Sequence, residues 1–273
     1  MHKLFVMKKH KSLWIWIFAI VFTLVIAVFQ RMTGPSYPVT GKVTLHNNEI
    51  KFRLPTTSDS KTGEIVKIEA NDTKISGKIE YKRFKSKDTL TSIPMKRDGE
   101  YLVAVIPPQP AAGKVQYKIT LESGTDKAVL SDDWVVIRYK GVVPYSVLFP
   151  HILLMFLAML FSTRAGLEAI FKGFRTYRYS FVTLVTLFFG GAILGPIMQK
   201  YAFDAYWTGW PFGHDLTDNK TLVALIFWGI AFYKLSKNKY DRKWAIIAAI
   251  ILFAVYMVPH SVLGSEIDYS QVK

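Results

Sequence analysis

Cysteine is missing from all 273 residues. Its absence excludes disulfides, covalently attached c-type haem, thiolate metal sites and thiol nucleophiles. It says nothing about compartment, because many extracytoplasmic domains fold without disulfides. No Gly-x-Ser-x-Gly elbow, phosphate-binding loop or Rossmann fingerprint occurs, so the familiar signatures of catalysis are lacking. The apolar segments carry no charge at their centres, and no internal repeat suggests inverted halves. A transporter or channel therefore finds no support. Acidic residues are also scarce, 20 against 35 Lys and Arg, for a net charge of +15. Nucleic-acid binding needs the basic residues in one patch. Here they recur in short clusters beside apolar runs, as at the cytoplasmic flanks of membrane helices, and no nucleic-acid partner is expected.

What is present is a segregated chain. The hydrophobic fraction is 51%, yet 20% of residues are charged, and the mean hydropathy is +0.20. This combination describes an integral membrane protein with a water-soluble insert. Five apolar segments, 13–29, 147–161, 181–198, 221–235 and 244–263, qualify as spans of roughly twenty residues. The last reaches 263 only if its helix runs past Pro259. The first lacks a convincing cleavage site after Ile26-Ala27-Val28-Phe29 and reads as an uncleaved anchor. Lys3, Lys8, Lys9 and Lys11, then Arg164, Lys172, Arg175 and Arg178, then Lys237, Lys239, Arg242 and Lys243 alternate with less basic stretches. The positive-inside rule turns that pattern into a multi-pass protein of the cell membrane, with a cytoplasmic N-terminus and an extracytoplasmic C-terminus. Three regions follow: 1–32, a cytoplasmic tail and transmembrane anchor; 33–140, an extracytoplasmic β-domain; and 141–273, a four-helix transmembrane bundle with an aromatic outer loop at 199–220.

The insert reads as strands. Polar and apolar residues alternate over Lys42-Val43-Thr44-Leu45, Glu49-Ile50-Lys51-Phe52-Arg53-Leu54, 75–81 and 115–121. Turn signals stand at Asn47-Asn48, Arg97-Asp98-Gly99 and Ser123-Gly124-Thr125-Asp126. The stretch from Gly99 through Tyr101-Leu102-Val103-Ala104-Val105-Ile106-Pro107-Pro108 to Gly113-Lys114-Val115-Gln116-Tyr117 resembles the F-strand region of fibronectin-type and immunoglobulin-like modules. The resemblance covers only this part of the insert. It implies an immunoglobulin-like β-sandwich with an inward tyrosine, and no chemistry. His46, beside the Asn-Asn pair, reads as an exposed turn residue.

The remaining candidates lie in the helical region. His151, His214 and His260 all fall on the outer face of the expected topology. Neutral imidazoles suit zinc, copper or iron, and Asp215 or Glu266 would supply an oxygen ligand or orient a ring. No local spacing such as His-x-x-x-His supports a site, so two readings stand side by side: a metal ion or haem b held by the three histidines, or interfacial histidines bonded to water and backbone. Thr217 or Asp218 would cap the fourth helix of the five. The aromatic content of the loop reads as a folded cap across the bundle mouth, with Trp207 and Trp210 as interfacial anchors the alternative. Arg164 and Glu168, four apart, read as a surface ion pair. The function expected is a membrane-anchored interaction or assembly subunit, bound to the lipid bilayer and to a protein partner through its extracytoplasmic domain. The alternative is a redox or metal-dependent membrane protein, and whether the chain is an enzyme stays open.

Overall fold

The computed structural model describes residues 9–45, 48–259 and 264–270. They form two compact units. One contains Met1–Gly34, Val143–Tyr201 and Ala205–Gly264; the other contains Pro35–Val142, Ala202–Asp204 and Ser265–Lys273.

The first unit is helical: α1 Lys9–Thr33, α2 Tyr145–Ile170, α3 Thr176–Leu187, a π-helical stretch Phe188–Leu194 that runs into α4 Gly195–Phe203, then α5 Leu216–Lys237 and α6 Lys243–Met257. Three stretches, His10–Thr33, Tyr145–Ile170 and Thr176–Phe203, are long and apolar enough to cross a membrane. α6 is apolar but shorter, 15 residues. At 1.5 Å per residue it spans about 22 Å, less than a hydrocarbon core of roughly 30 Å. The helix ends at Met257, because Pro259 restricts the residue before it and Val258 is extended at ψ 116°; positions 260–263 of the expected span lie outside the described residues. α2 departs from expectation at its other end. It begins at Tyr145, directly behind Pro144, whose carbonyl accepts from Val147 and Leu148 N–H. Pro150 therefore sits in the second turn, not the first, and gives up one helical hydrogen bond there.

Small residues let these helices approach. Ala158 and Ala165 of α2, Ala224 and Ala231 of α5 and Ala248 of α6 are buried around Trp228 and Leu252. A methyl group on Gly166 would stand 2.7 Å from Ala249 Cβ, and one on Gly191 2.7 Å from Thr221 Cγ2. Backbones this close replace side-chain bulk with van der Waals contact, the usual device where no water drives helices together. α1 joins through Trp16, whose ring meets Phe161 and Tyr179 edge-on at 5.5 and 5.6 Å.

The second unit is built of strands β1 Val39–Leu45, β2 Asn48–Leu54, β3 Thr57–Asp59, β4 Glu64–Glu69, β5 Ser76–Arg83, β6 Thr91–Pro94, β7 Lys96–Asp98, β8 Tyr101–Ile106, β9 Lys114–Ser123, β10 Asp126–Val129 and β11 Val135–Lys140. They make three sheets: the β1–β2 hairpin, a six-stranded sheet ordered β3-β11-β9-β5-β6 with β10 on β9, and a three-stranded sheet β4-β8-β7. Strict alternation decides what each face does. On β9, Val115, Tyr117, Ile119 and Leu121 point inward and are buried. Val66, Ile68, Leu102, Ala104 and Ile106 of the small sheet and Leu45, Ile50 and Leu54 of the hairpin close the same core. Gly99 and Gly124 take φ of +57° and +59°, the left-handed turn geometry that β-branched or bulky residues resist. β8 and β9 lie in different sheets, joined across the proline-rich 107–110 turn.

Candidate functional site

The loop between α4 and α5 is held by two buried carboxylates. Asp218 Oδ2 accepts hydrogen bonds from the N–H of Thr208 (2.7 Å) and of Gly209 (2.9 Å) and from Gln199 Nε2 (3.2 Å). A side chain on Gly209 would come within 2.5 Å of Asp218 Cβ, so the clasp needs glycine there. Asp215 Oδ1 accepts from Thr217 N–H at 2.8 Å and caps α5, while its Oδ2 accepts from Thr208 Oγ1 at 3.2 Å. The expected cap on Thr217 or Asp218 is thus corrected. α5 starts at Leu216, which makes Asp215 the residue whose side chain reaches the orphan N–H groups of the first turn. Trp210 N–H donates to Asn219 Oδ1 (2.7 Å) and Trp207 Nε1–H to the Trp210 carbonyl (3.0 Å). The result is an ordered platform from which Tyr206, Trp210 and Phe212 project into the surroundings.

Lys220 lies one residue beyond this clasp and is buried. Its ammonium donates to the carbonyls of Val258 (2.7 Å) and Pro259 (3.3 Å), just past the end of α6. A cation at that place satisfies acceptors that helix termination leaves open and complements the helix dipole. Gln30 Nε2 of α1 donates to the Tyr256 carbonyl at 3.1 Å in the same neighbourhood.

Three of the five residues expected to hold a metal or haem, His151, Asp215 and Glu266, have other attachments. The Gly190 carbonyl can only accept, so His151 Nδ1 carries the hydrogen and donates to it at 2.9 Å. Gly190 belongs to the π-helical stretch, and its carbonyl also accepts from Gly195 N–H, so it is shared between the backbone and a side chain of α2. His214 is exposed on the loop, and Asp215 is the cap just described. Glu266 belongs to the β unit, where Lys85 and Lys114 take its two oxygens. His260, like His46, lies outside the described residues. Among the described residues no group of three or more His, Asp or Glu side chains is arranged to hold a metal ion.

The Arg164–Glu168 pair is not the surface feature expected. Both side chains are buried, Arg164 at 0% exposure. The Arg164 guanidinium donates to Glu168 and to Ser12 Oγ of α1 (3.3 Å), and it lies over the rings of Tyr179 (4.7 Å) and Trp16 (5.4 Å). Glu168 Oε1 accepts from Arg175 N–H at 3.2 Å and folds back over Gly173, leaving no room for a side chain there. One ion pair thus joins α1, α2, α3 and the 171–175 turn. Both residues lie on α2, which continues to Ile170, and Trp16, Tyr179 and Ser12 surround the guanidinium.

In the β unit the outer face of the three-stranded sheet is partly apolar. Ile65 and Val105 stand directly opposite each other at 55% and 51% exposure, and Tyr101 follows on β8 at 43%. Lys67 and Glu69 complete that face of β4, which is an edge strand of its sheet. Comparison with protein-family models, with curated proteins and with solved structures gives no match for this chain.

Proposed function

We propose that the chain is a membrane-anchored interaction or assembly subunit, with its β unit outside the cell membrane as the recruiting module. The N-terminus is cytoplasmic and the chain crosses the bilayer repeatedly; α2 to α6 act as a four-helix bundle in which α3 and α4 count as one span. Three helices with spanning length and composition support the membrane setting. The distribution of Lys and Arg supports the orientation. We read the β unit as an immunoglobulin-like sandwich, supported by the shared core of its sheets and the crossing between β8 and β9.

The observation that carries the recruiting role is the exposed Ile65–Val105 pair beside Tyr101. The buried face of the same strands already supplies the core, so these side chains contribute nothing to it. A face of apolar residues ringed by Lys67 and Glu69, on a sheet with an open edge, has the composition of a protein contact: an apolar centre with a polar rim. Copurification from a mild detergent tests it. A stable protein partner should accompany the full chain and be lost from the Ile65→Lys/Val105→Lys double variant, whose fold is unaffected because both positions face outward. Retention of the partner by that variant would contradict the assignment.

A further inference from the structure

The segment 264–270 leaves the helical unit and is held by the β unit through three distinct contacts. Glu266 is gripped by Lys85 Nζ (2.7 Å) and by Lys114 Nζ. Ile267 N–H donates to the Ala112 carbonyl at 3.2 Å. Tyr269 is buried: its hydroxyl donates to Gln109 Oε1 (3.3 Å), and the Arg83 guanidinium covers its ring at 4.8 Å. A methyl group on Gly113 would stand 2.5 Å from the Tyr269 hydroxyl, so the slot exists only because residue 113 is glycine.

Two features distinguish this from a tail merely packed on a surface. Lys85 and Ala112 have φ of +54° and +66°, the only non-glycine residues within the described part of 35–142 in the left-handed region. Such backbone is disfavoured for residues with a Cβ and tends to persist where the surroundings hold it. Here the one residue supplies an ammonium and the other a carbonyl to the same segment. The segment adds no strand to the sheets, and none of its residues joins the cluster of buried residues that the strands share. Beside Tyr269, an open groove of about 380 Å³ lined by Tyr81, Arg83, Asp88, Gln109 and Val115 continues past what the segment fills.

We infer that Arg83, Lys85, Gln109, Ala112, Gly113 and Lys114 form a docking site for extended protein segments that carry a carboxylate three residues before a tyrosine, and that Glu266–Tyr269 occupies it in cis. A partner segment of that chemistry enters by displacing the chain's own. This rests on the reading of the β unit as a recruiting module and adds the chemistry of what it recruits.

The test uses the whole protein in mild detergent and a variant ending at Gly264, with a fluorescent peptide of residues 264–273 as the probe. The peptide should bind the shortened protein saturably. It should bind the full chain about ten-fold more weakly or less, since the cis segment competes. Glu266→Lys in the peptide should weaken binding by a similar factor, and Lys85→Glu/Lys114→Glu in the shortened protein should restore it. Gly113→Leu should abolish it. Absence of peptide binding to a shortened protein that melts cooperatively overturns the inference. Failure of the shortened protein to fold also overturns it, by showing the segment to be part of the core. Partner copurification is a separate readout. If the Ile65→Lys/Val105→Lys variant loses its partner while the peptide does not bind, the recruiting role stands and this site falls.

Discussion

Arg164 and Glu168 are separated by one helical turn, the spacing of many exposed pairs worth a few tenths of a kcal/mol. Their surroundings change the magnitude. Both are buried between Trp16, Tyr179 and the 171–175 turn, and an ion left alone in such a place is costly. Glu168→Ala should lower stability by about 3–5 kcal/mol, and the volume-matched Arg164→Met/Glu168→Leu pair should recover most of it. Denaturant titration of the detergent-solubilised protein, following helix content, reads both. The spacing was legible in the sequence. The burial was not, because it depends on Ser12 and Trp16, some 150 residues earlier in the chain.

The Arg83–Asp88 pair in the β unit shows the opposite case. Arg83 donates from Nε (2.6 Å) and Nη2 (2.8 Å) to both oxygens of Asp88. These bonds hold the Asp88 carboxyl down at about 2, against the opposing effect of burial. A depressed carboxyl stabilises the fold fully above its ordinary value of 3.8, and that contribution is lost as pH falls toward 2. Asp88→Asn should therefore melt below the parent at pH 7 and converge with it as the pH approaches 2. Because the pair is about one-third exposed, the gap at pH 7 should be at most about 1 kcal/mol. Equal melting temperatures at pH 7 would count against the pair's role.

At the scale of elements, the strands were the most readable part. Period-two alternation over 42–45, 49–54, 75–81 and 115–121 corresponds to β1, β2, β5 and β9, since one buried face is enough to set the pattern. Helix ends were less readable. The cap of α5 was assigned two or three residues late because 215, 217 and 218 all have capping side chains, and only the backbone decides which one precedes the first turn. The end of α6 depended on Pro259, and the carbonyls of Val258 and Pro259 just beyond it accept from Lys220, on a different helix. Lys220→Met should leave those acceptors without a partner and cost about 1–3 kcal/mol. Faster amide hydrogen exchange in the last turn of α6, with α2 unchanged, is the expected signature. Unchanged exchange there would show that other donors hold the turn.

At the scale of the molecule, the sequence separated a part with long apolar helices from a part built of strands. Which residues meet within each part was beyond it. The three histidines were grouped because topology placed them on one face. In the structure His151 bonds within the helical unit to Gly190, Glu266 bonds within the β unit to two lysines, and His214 is exposed. The partners of the segment 264–270, Arg83, Lys85 and Gln109, stand more than a hundred residues upstream. Pairing across such distances leaves no local pattern to read.

The recruiting role requires the β unit to lie outside the membrane, and the lack of native cysteine makes this directly measurable. Leu90→Cys, on an exposed position of the β unit, and Lys172→Cys, in the turn between α2 and α3, each introduce a single thiol. In intact cells a membrane-impermeant maleimide should label Cys at position 90 and leave position 172 unlabelled until the membrane is opened. Labelling of 172 with protection of 90 would reverse the orientation and remove the basis for an extracytoplasmic partner.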